Sequence, residues 1–527
     1  MRNLVITGFM GTGKSAVGQA VARRLRRPFL DMDAEIAARS GKSVARIFAE
    51  EGEAAFRQLE AALCAELVAR EGLVIATGGG ALVNAESRRR MLAADTVVCL
   101  AADVPTILQR TQSGDAVRPL LRTDDPRAEI ERLLAARKAA YAAIPWHVET
   151  TGKSIAAVAD EVAAFAEART LTVRHPGGTY PIHVGAGLRQ QLGSALRAAG
   201  VPAGSKIAVV SNPKVAGLYG ADVAAALQEV ERSYVAITIP DGEQHKTLST
   251  VATLYERLLA GGLDRSGTVL ALGGGVTGDL AGFAAATFMR GVRFVQVPTS
   301  LLAMVDASVG GKTGCNLPQG KNLVGAFKQP ALVLVDPEVL ATLEPAEFRS
   351  GMAEVLKHGV IGDAALFAAL EAGPGAVGKM DAALLARALR VKIEIVEADP
   401  FEGGRRAVLN LGHTAGHALE QLSDYTLRHG EAVAVGMVVA ARLAEQLTLA
   451  ERGLAARIAA ALAAWGLPTR LPSYPVDAIL DAMAHDKKRR AGQLRWVLPR
   501  RMGAVEIIDD VPISAVDEVL RELQVAR

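Results

Sequence analysis

Through the first third of the chain, short apolar runs alternate with longer stretches of Ala, Leu, Arg and Glu. LVIT at 4–7, LVIAT at 73–77 and TVVCL at 96–100 read as strands, and the segments between them carry helical periodicity. From Leu4 to about Ala168 that alternation predicts a parallel sheet flanked by helices. Near Arg169 the pattern changes to TLTVRHPGGTYPIHVG, whose alternation about Pro-Gly-Gly predicts an antiparallel hairpin and a new domain. A second α/β region runs from Lys206 (KIAVVSN) through TVLALGGG and FVQVPTS to LVLVD, ending near Asp336. From Ala346 to about Ala464 strands almost disappear, so a mainly helical region should pack against the second. The expected division is 1–168, 169–336 and 337–527, with no flexible linker after the first part.

Composition narrows the class. The chain has 527 residues, too many for one hydrophobic core. Half of them are hydrophobic, 22% are charged and the net charge is +3, which describes an ordinary globular protein and neither a disordered chain nor a nucleic-acid binder. Cys64, Cys99 and Cys315 lack metal-like or disulfide-framework spacing and read as buried inert thiols in a reducing cytoplasm. The opening MRNLVITG is too short for a signal-peptide core, so no export is expected. The apolar stretch from Ala432 to Ala441 is about half of the roughly 20 residues a bilayer requires, and reads as a buried helix.

Candidate chemistry begins at Gly8-Phe-Met-Gly11-Thr12-Gly13-Lys14-Ser15, between LVIT and AVGQAVARRL: the strand, GxxxxGKS, helix context of a phosphate loop. Backbone N–H groups around Gly11, Thr12, Gly13 and Ala16 can converge on phosphate oxygens, Lys14 can reach the β and γ phosphates, and Ser15 offers a hydroxyl to Mg²⁺. Gly41-Lys42-Ser43 and Gly152-Lys153-Ser154 lack the first glycine and are decoys, with Ile36 and His147 in its place. FLDMD sets Asp31 and Asp33 at a strand end, on one face by the two-residue period, one for a metal and one for a substrate hydroxyl. GEAAFR places Arg57 on a helix, TGGG at 77–80 closes a strand, and Arg118 and Arg137 flank an expected lid.

Taken together, GxMGxGKS, DMD, GExxFRxxE, TGGG and RxxxxxxxRPLL (Arg110 to Leu121) resemble shikimate kinase over the first 165 positions or so. That resemblance implies that Asp33, Arg57, Gly79 and Arg137 hold shikimate, that Arg118 stabilises the transferring phosphoryl group of ATP, and that Ser15 and Asp31 hold Mg²⁺. One departure is YAAIPWHVET after Arg137, with Pro145 and Trp146 where the family tends to a more helical acidic stretch. A nucleotide-binding module without catalysis is the other reading, and the intact Asp33, Arg57 and Arg118 argue against it.

In the second half, Gly273, Gly275 and Gly278 follow a strand in GxGxxG spacing, yet Pro298 stands where a Rossmann site wants an acidic residue. A dinucleotide is therefore held differently if it binds, with Glu243 and Lys246 of DGEQHK as candidates. GMAEVLKHG, NLGHTAGH and HGE supply Glu354, His413, His417 and His429; helical spacing puts His413 and His417 on one face, and two His with a carboxylate suit zinc. Lys312, Lys321, Asn322, Lys357, Lys392, Arg406, Lys487 and Lys488 suit a hydroxylated substrate bearing phosphate and carboxylate.

These segments, with GGGVTGD, FMRGVRFVQVPTSLLAMVDASVGGKTGCN, KNLVGAF and DKKxxxGxLRWVLP, resemble 3-dehydroquinate synthase from about Leu171 to Val525. The resemblance implies Glu354, His413 and His429 as ligands of Zn²⁺ or Co²⁺, with His417 a catalytic residue that stands behind the ligands or near the substrate and is not itself a ligand. It implies NAD⁺ contacts from Asp241, Glu243, Lys246, Gly274, Gly275, Val276, Asp279, Thr299, Ser300, Lys312 and Lys321. Substrate contacts would come from Asp306, Lys312, Asn322, Lys357, Lys392, Arg406, Asn410 and one of Lys487 or Lys488, with Lys312 and Lys357 catalytic. Arg290 would reach a partner subunit's site, which implies a homodimer. The implied reaction turns 3-deoxy-D-arabino-heptulosonate 7-phosphate into 3-dehydroquinate by oxidation, phosphate elimination, reduction and aldol closure, with NAD⁺ returned unchanged. Other sugar-phosphate cyclases and iron-dependent polyol dehydrogenases share the glycine loop but differ in the lysines and in the EVLKHG and GHTxGH contexts. The expected fold is thus a P-loop kinase sheet, a Rossmann-like α/β domain and a helical metal-binding domain.

Overall fold

The computed structural model describes residues 1–112, 125–488 and 495–524. These form two compact units: Met1–Thr170 with Gly185–Ser205 and Asp222–Ser233, and Leu171–Val184 with Lys206–Ala221 and Tyr234–Arg527.

In the first unit, β1 (Leu4–Gly8), β2 (Phe29–Asp31), β3 (Val74–Ala76), β4 (Thr96–Ala101) and β5 (Trp146–Glu149) form a parallel sheet in the order β2-β3-β1-β4-β5. Every residue of β1 is buried, as expected of a strand covered on both faces. Val5, Ile75, Val97 and Cys99 meet Ile36, Phe56, Leu63 and Met91 in one apolar core. The registers Ile6 opposite Ala76 and Asp31 opposite Ala76 align the carboxyl ends of β1, β2 and β3, the edge of an α/β sheet where ligands bind.

Two sequence expectations change here. The strand containing FLD stops at Asp31, and Asp33 lies in the first turn of the helix Met32–Ser40 rather than on a strand face beside Asp31. The Asp31 carboxylate accepts from the N–H groups of Asp33 (3.0 Å) and Ala34 (3.3 Å), so the capping preference of Asp starts a helix where alternation suggested more strand. YAAIPWHVET yields a fifth strand: the helix Pro126–Ala142 ends before Pro145, and Trp146–Glu149 pairs with β4.

Asp95 precedes β4 with 5% of its surface exposed, one oxygen accepting from the Asn3 N–H at 3.2 Å and the other without a partner. Burial raises its pKa from 3.8 to about 6 despite that bond. A carboxyl group raised on folding favours the folded state when protonated, so its penalty is present above pH 6 and fades towards pH 4. Asp95→Asn is therefore expected to stabilise this unit at pH 8 by on the order of 1 kcal/mol, with the advantage vanishing near pH 4. Urea unfolding across that range checks it, and a pH-independent difference refutes it.

The second unit opens with the expected hairpin, β6 (Arg169–His175) and β7 (Gly178–Val184). It continues through β8 (Ile207–Ser211), β9 (Tyr234–Thr238), β10 (Thr268–Gly273) and β11 (Arg293–Pro298). Next comes a separate antiparallel pair, β12 (Lys312–Leu317) and β13 (Gly320–Phe327), before β14 (Leu332–Val335) returns to the main sheet. The sheet order is β6-β7-β14-β11-β10-β8-β9. β10 is fully buried and delivers the glycine turn into the helix Gly275–Thr287.

After Asp336 the unit is mainly helical, with one hairpin of β15 (Trp496–Arg501) and β16 (Ala504–Ile508). The Ala432–Ala441 stretch is the buried middle of the helix His429–Gln446. That helix packs closely on the turn before His413–Leu422: a side chain at Gly436 would run into the Gly412 carbonyl. This approach carries His413 and His429 towards each other. Among the described residues, no helix is long and apolar enough to cross a membrane.

Candidate functional site

In the first unit, the helix Lys14–Leu25 begins directly after the glycine turn, and the Lys14 ammonium donates to the Phe9 carbonyl at 2.9 Å. Ser15 Oγ donates to Asp31 Oδ2 at 2.5 Å, so the two candidate Mg²⁺ ligands touch. The candidate acceptor-side residues gather at Gly78, Gly79 and Gly80. Arg137, 7% exposed, donates to the Gly79 carbonyl at 3.0 Å and lies over the Phe9 ring; Tyr141 donates to the same carbonyl at 2.7 Å. Arg57 is held by Glu53 (2.7 Å) and the buried Glu60 (2.6 Å). A side chain at Gly78 would strike Glu60 and Asp33, which sets how closely these carboxylates approach the loop. Asp33 Oδ1 is buried with no hydrogen-bond partner, and burial, then Asp31, raises its pKa. An orphaned acceptor with the Lys14 and Arg57 cations near it suits a hydroxylated anion. Arg118 lies outside the described residues.

In the second unit, Glu354, His413 and His429 come from three helices, yet their ligand atoms lie within 4.8 Å of one another. Glu354 is 0% exposed, contacts Lys357, and neither of its carboxylate oxygens has a well-aligned hydrogen-bond donor. Burial alone would raise its pKa, but Lys357, His429 and His413 hold it well below the usual range. Burial, then Lys357, pushes His413 well down, leaving a neutral imidazole. Burial would lower His429 as well, but Glu354 and Glu420 raise it to about 9. A buried carboxylate with unfilled acceptor sites and two imidazoles fits a divalent cation such as zinc. His417 is exposed, its ring 5.2 Å from that of His413, and stands outside this trio.

The dinucleotide candidates assemble at the carboxyl ends of β10 and β11. Gly274 caps the helix starting at Gly275, with Val276 in its first turn, and the Thr299 N–H donates to the Gly273 carbonyl at 3.0 Å. Ser300 Oγ accepts from the Ala303 N–H. Lys246, 4% exposed, pairs with Asp279 at 2.5 Å and donates to Asn322 at 2.6 Å, while Asp241 accepts from Asn212. Substrate candidates lie beyond: Lys392 pairs with Asp306 at 2.5 Å, and Arg406 donates to the carbonyls of Gly310 and Pro400. Asn410 ends the short helix Arg405–Asn410. Lys312 is half-exposed and pairs with Glu402 at 2.7 Å, and Lys321 reaches Glu420 rather than the glycine turn. Arg290 is exposed beside Met289, both in the left-handed region at φ 69° and 48°. The side chains of Lys487 and Lys488 lie outside the described residues.

Residues 236–350 match the model of the 3-dehydroquinate synthase N-terminal domain, and 351–489 that of its C-terminal domain. The 3-dehydroquinate synthase of a Synechococcus strain is 48% identical over 361 residues, which is 67% of this chain and 98% of that protein. The chain belongs to the 3-dehydroquinate synthase family. Residues 10–167 match the shikimate kinase model, so a shikimate kinase domain precedes the synthase. Among solved structures, 2-epi-5-epi-valiolone synthase of Streptomyces hygroscopicus, with NAD⁺ and Zn²⁺ bound, is similar at 30% identity. It has a TM-score of 0.58 over 65% of this chain and 96% of its own. A 2-deoxy-scyllo-inosose synthase with NAD⁺ and Co²⁺ is similar at 27% identity and a TM-score of 0.61, over 67% of this chain and 100% of its own. The higher identity to 3-dehydroquinate synthases separates this family from the other cyclases.

Sequence reading of this synthase overlooked three residues. Asn316 donates to Glu243 (2.7 Å) and accepts from the Asn322 N–H (2.8 Å), tying β12 to the dinucleotide candidates. Glu420 lies 3.5 Å from His429 Nδ1, and its signal was present: it follows His413 by seven residues on one helix face. His358, one turn after Glu354, is fully buried with neither ring nitrogen hydrogen-bonded, and burial, then Lys357, lowers it to about 4. With Asp306 and Glu354 it forms a second close group, which shares Glu354 with the first and whose Asp306 is paired with Lys392.

Proposed function

We propose that the chain phosphorylates shikimate with ATP and Mg²⁺ in its first 168 residues and makes 3-dehydroquinate from 3-deoxy-D-arabino-heptulosonate 7-phosphate in the remainder. In the kinase, Gly11, Thr12, Gly13, Lys14, Ser15 and Ala16 hold the nucleotide phosphates. Asp33, Arg57, Gly79 and Arg137 orient shikimate, and Arg118 closes on the transferring phosphoryl group. Positioning and charge neutralisation suffice for that chemistry.

In the synthase, residues 169–336 hold NAD⁺ and 337–527 hold the metal. Bound NAD⁺ supplies a hydride acceptor. Zinc or cobalt on Glu354, His413 and His429 supplies a Lewis acid for a substrate oxygen. Lys312, Lys357, Lys392, Arg406, Asn410, Asn322 and Lys488 neutralise the substrate's phosphate and carboxylate, Asp306 orients hydroxyls, and His417 stands beside the reacting end. Arg290 serves a partner subunit's site in a cytoplasmic homodimer. The observation that carries the reading is the meeting of Glu354, His413 and His429 within 4.8 Å from three separate helices.

The test is to assay one preparation for shikimate-dependent ADP formation and for phosphate release from the heptulosonate phosphate. Both turnovers are expected, and the absence of either refutes that half of the proposal.

A further inference from the structure

Glu420 belongs to neither the metal trio nor the substrate groups, yet it is 4% exposed and carries a carboxylate among apolar neighbours of the helix His413–Leu422. Its two oxygens face different segments. Oε2 lies 3.5 Å from His429 Nδ1, while Oε1 accepts from the Lys321 ammonium at 3.2 Å. His429 in turn presents Nε2 to Glu354, 3.4 Å from Oε1. The imidazole is thus held between two carboxylates, one inside the metal trio and one behind it. An imidazole that ligates through Nε2 must keep its proton on Nδ1, and an acceptor there fixes both the tautomer and the ring plane.

Lys321 is the second residue of β13, the strand that also carries Asn322 to Lys246. Its ammonium lies 4.1 Å from the centre of the Tyr425 ring, in a turn where Asp424 and Tyr425 both adopt left-handed backbone at φ 48° and 60°. Two consecutive non-glycine residues in that region are strained, so the turn is held by its surroundings rather than by preference. The same carboxylate therefore serves the metal ligand and the hairpin.

We propose that Glu420 is a positioning residue for the ligand His429, and that Lys321 draws on the same carboxylate and so couples the β12–β13 hairpin to metal affinity. This rests on the metal reading above. Removing the carboxylate frees the His429 ring and weakens the metal; removing the lysine leaves the carboxylate wholly to His429 and strengthens it.

The experiment is Co²⁺ binding to the full chain, by chelator competition and by the visible absorption of the bound ion, without substrate or turnover. Glu420→Gln is expected to weaken binding by roughly 10- to 100-fold and to alter the spectrum. Lys321→Met is expected to tighten binding several-fold, and by less than about twofold when Glu420 is already Gln, because the lysine acts through that carboxylate. Unchanged affinity in Glu420→Gln, or a Lys321→Met effect of the same size in both backgrounds, overturns the coupling. Lys321→Met alters only a partly exposed side chain, so unchanged or weaker binding in it overturns the proposal even where Glu420→Gln does not fold. A wild-type chain that binds no Co²⁺ overturns the metal reading and the coupling together.

Discussion

Glu354→Gln is expected to lower 3-dehydroquinate formation by roughly 10³-fold or more and to strip the metal from the purified chain. Two costs add at this position. Glutamine keeps the shape but removes the one negative charge of the Glu354, His413 and His429 trio, which a divalent ion needs most. It also strands the Lys357 ammonium, 1% exposed, without the carboxylate it contacts. An uncompensated buried charge costs about 3–5 kcal/mol, so the second unit should lose stability as well as metal. Metal content by elemental analysis, phosphate release and thermal unfolding read the three effects together. Shikimate phosphorylation by the same preparation should stay within about twofold of wild type, because the described kinase residues and Glu354 belong to different compact units. Stoichiometric metal with near-normal phosphate release would refute the assignment of Glu354.

Much of this arrangement was legible in the chain, for identifiable reasons. The strand of LVIT and its glycine turn were readable because a buried parallel strand leaves an unbroken apolar run and the phosphate loop needs small residues at fixed steps. The residue types and helical spacing marked Glu354, His413, His417 and His429 as candidates, and the family resemblance singled out the three that the fold brings within 4.8 Å. What escaped depends on competition between local and distant preferences. Alternation through FLDMD favoured strand, but Asp31 caps a helix and takes Asp33 with it. Trp146–Glu149 is only four residues long, and its strand character comes from pairing with β4, which no local pattern encodes. Asn316 is an ordinary polar residue in sequence, and only folding sets it beside Glu243; the spacing of Glu420 from His413 was visible, but only folding sets it beside His429.

Lys14→Ala is expected to lower shikimate phosphorylation by about 10³-fold and to leave the synthase reaction unchanged. Lys14 is the first residue of its helix, and the preceding Gly13 sits at φ 91°, so the loop's path is set by glycine rather than by the lysine. Its ammonium donates to the Phe9 carbonyl at the rim of the loop and can swing to a β–γ bridging position without disturbing the core. Stability should therefore change by less than about 1 kcal/mol while the transferring charge loses its nearest fixed cation. The loss should fall on kcat more than on KM for shikimate, since Asp33, Arg137 and Arg57 lie against Gly78, Gly79 and Gly80 whatever stands at position 14. Arginine should not restore the rate, because its planar fork cannot replace a compact ammonium within a tight backbone turn. Steady-state ADP formation with each substrate varied separates these outcomes, and a Lys14→Ala chain that keeps more than about a tenth of wild-type kcat would remove Lys14 from the phosphoryl-transfer chemistry.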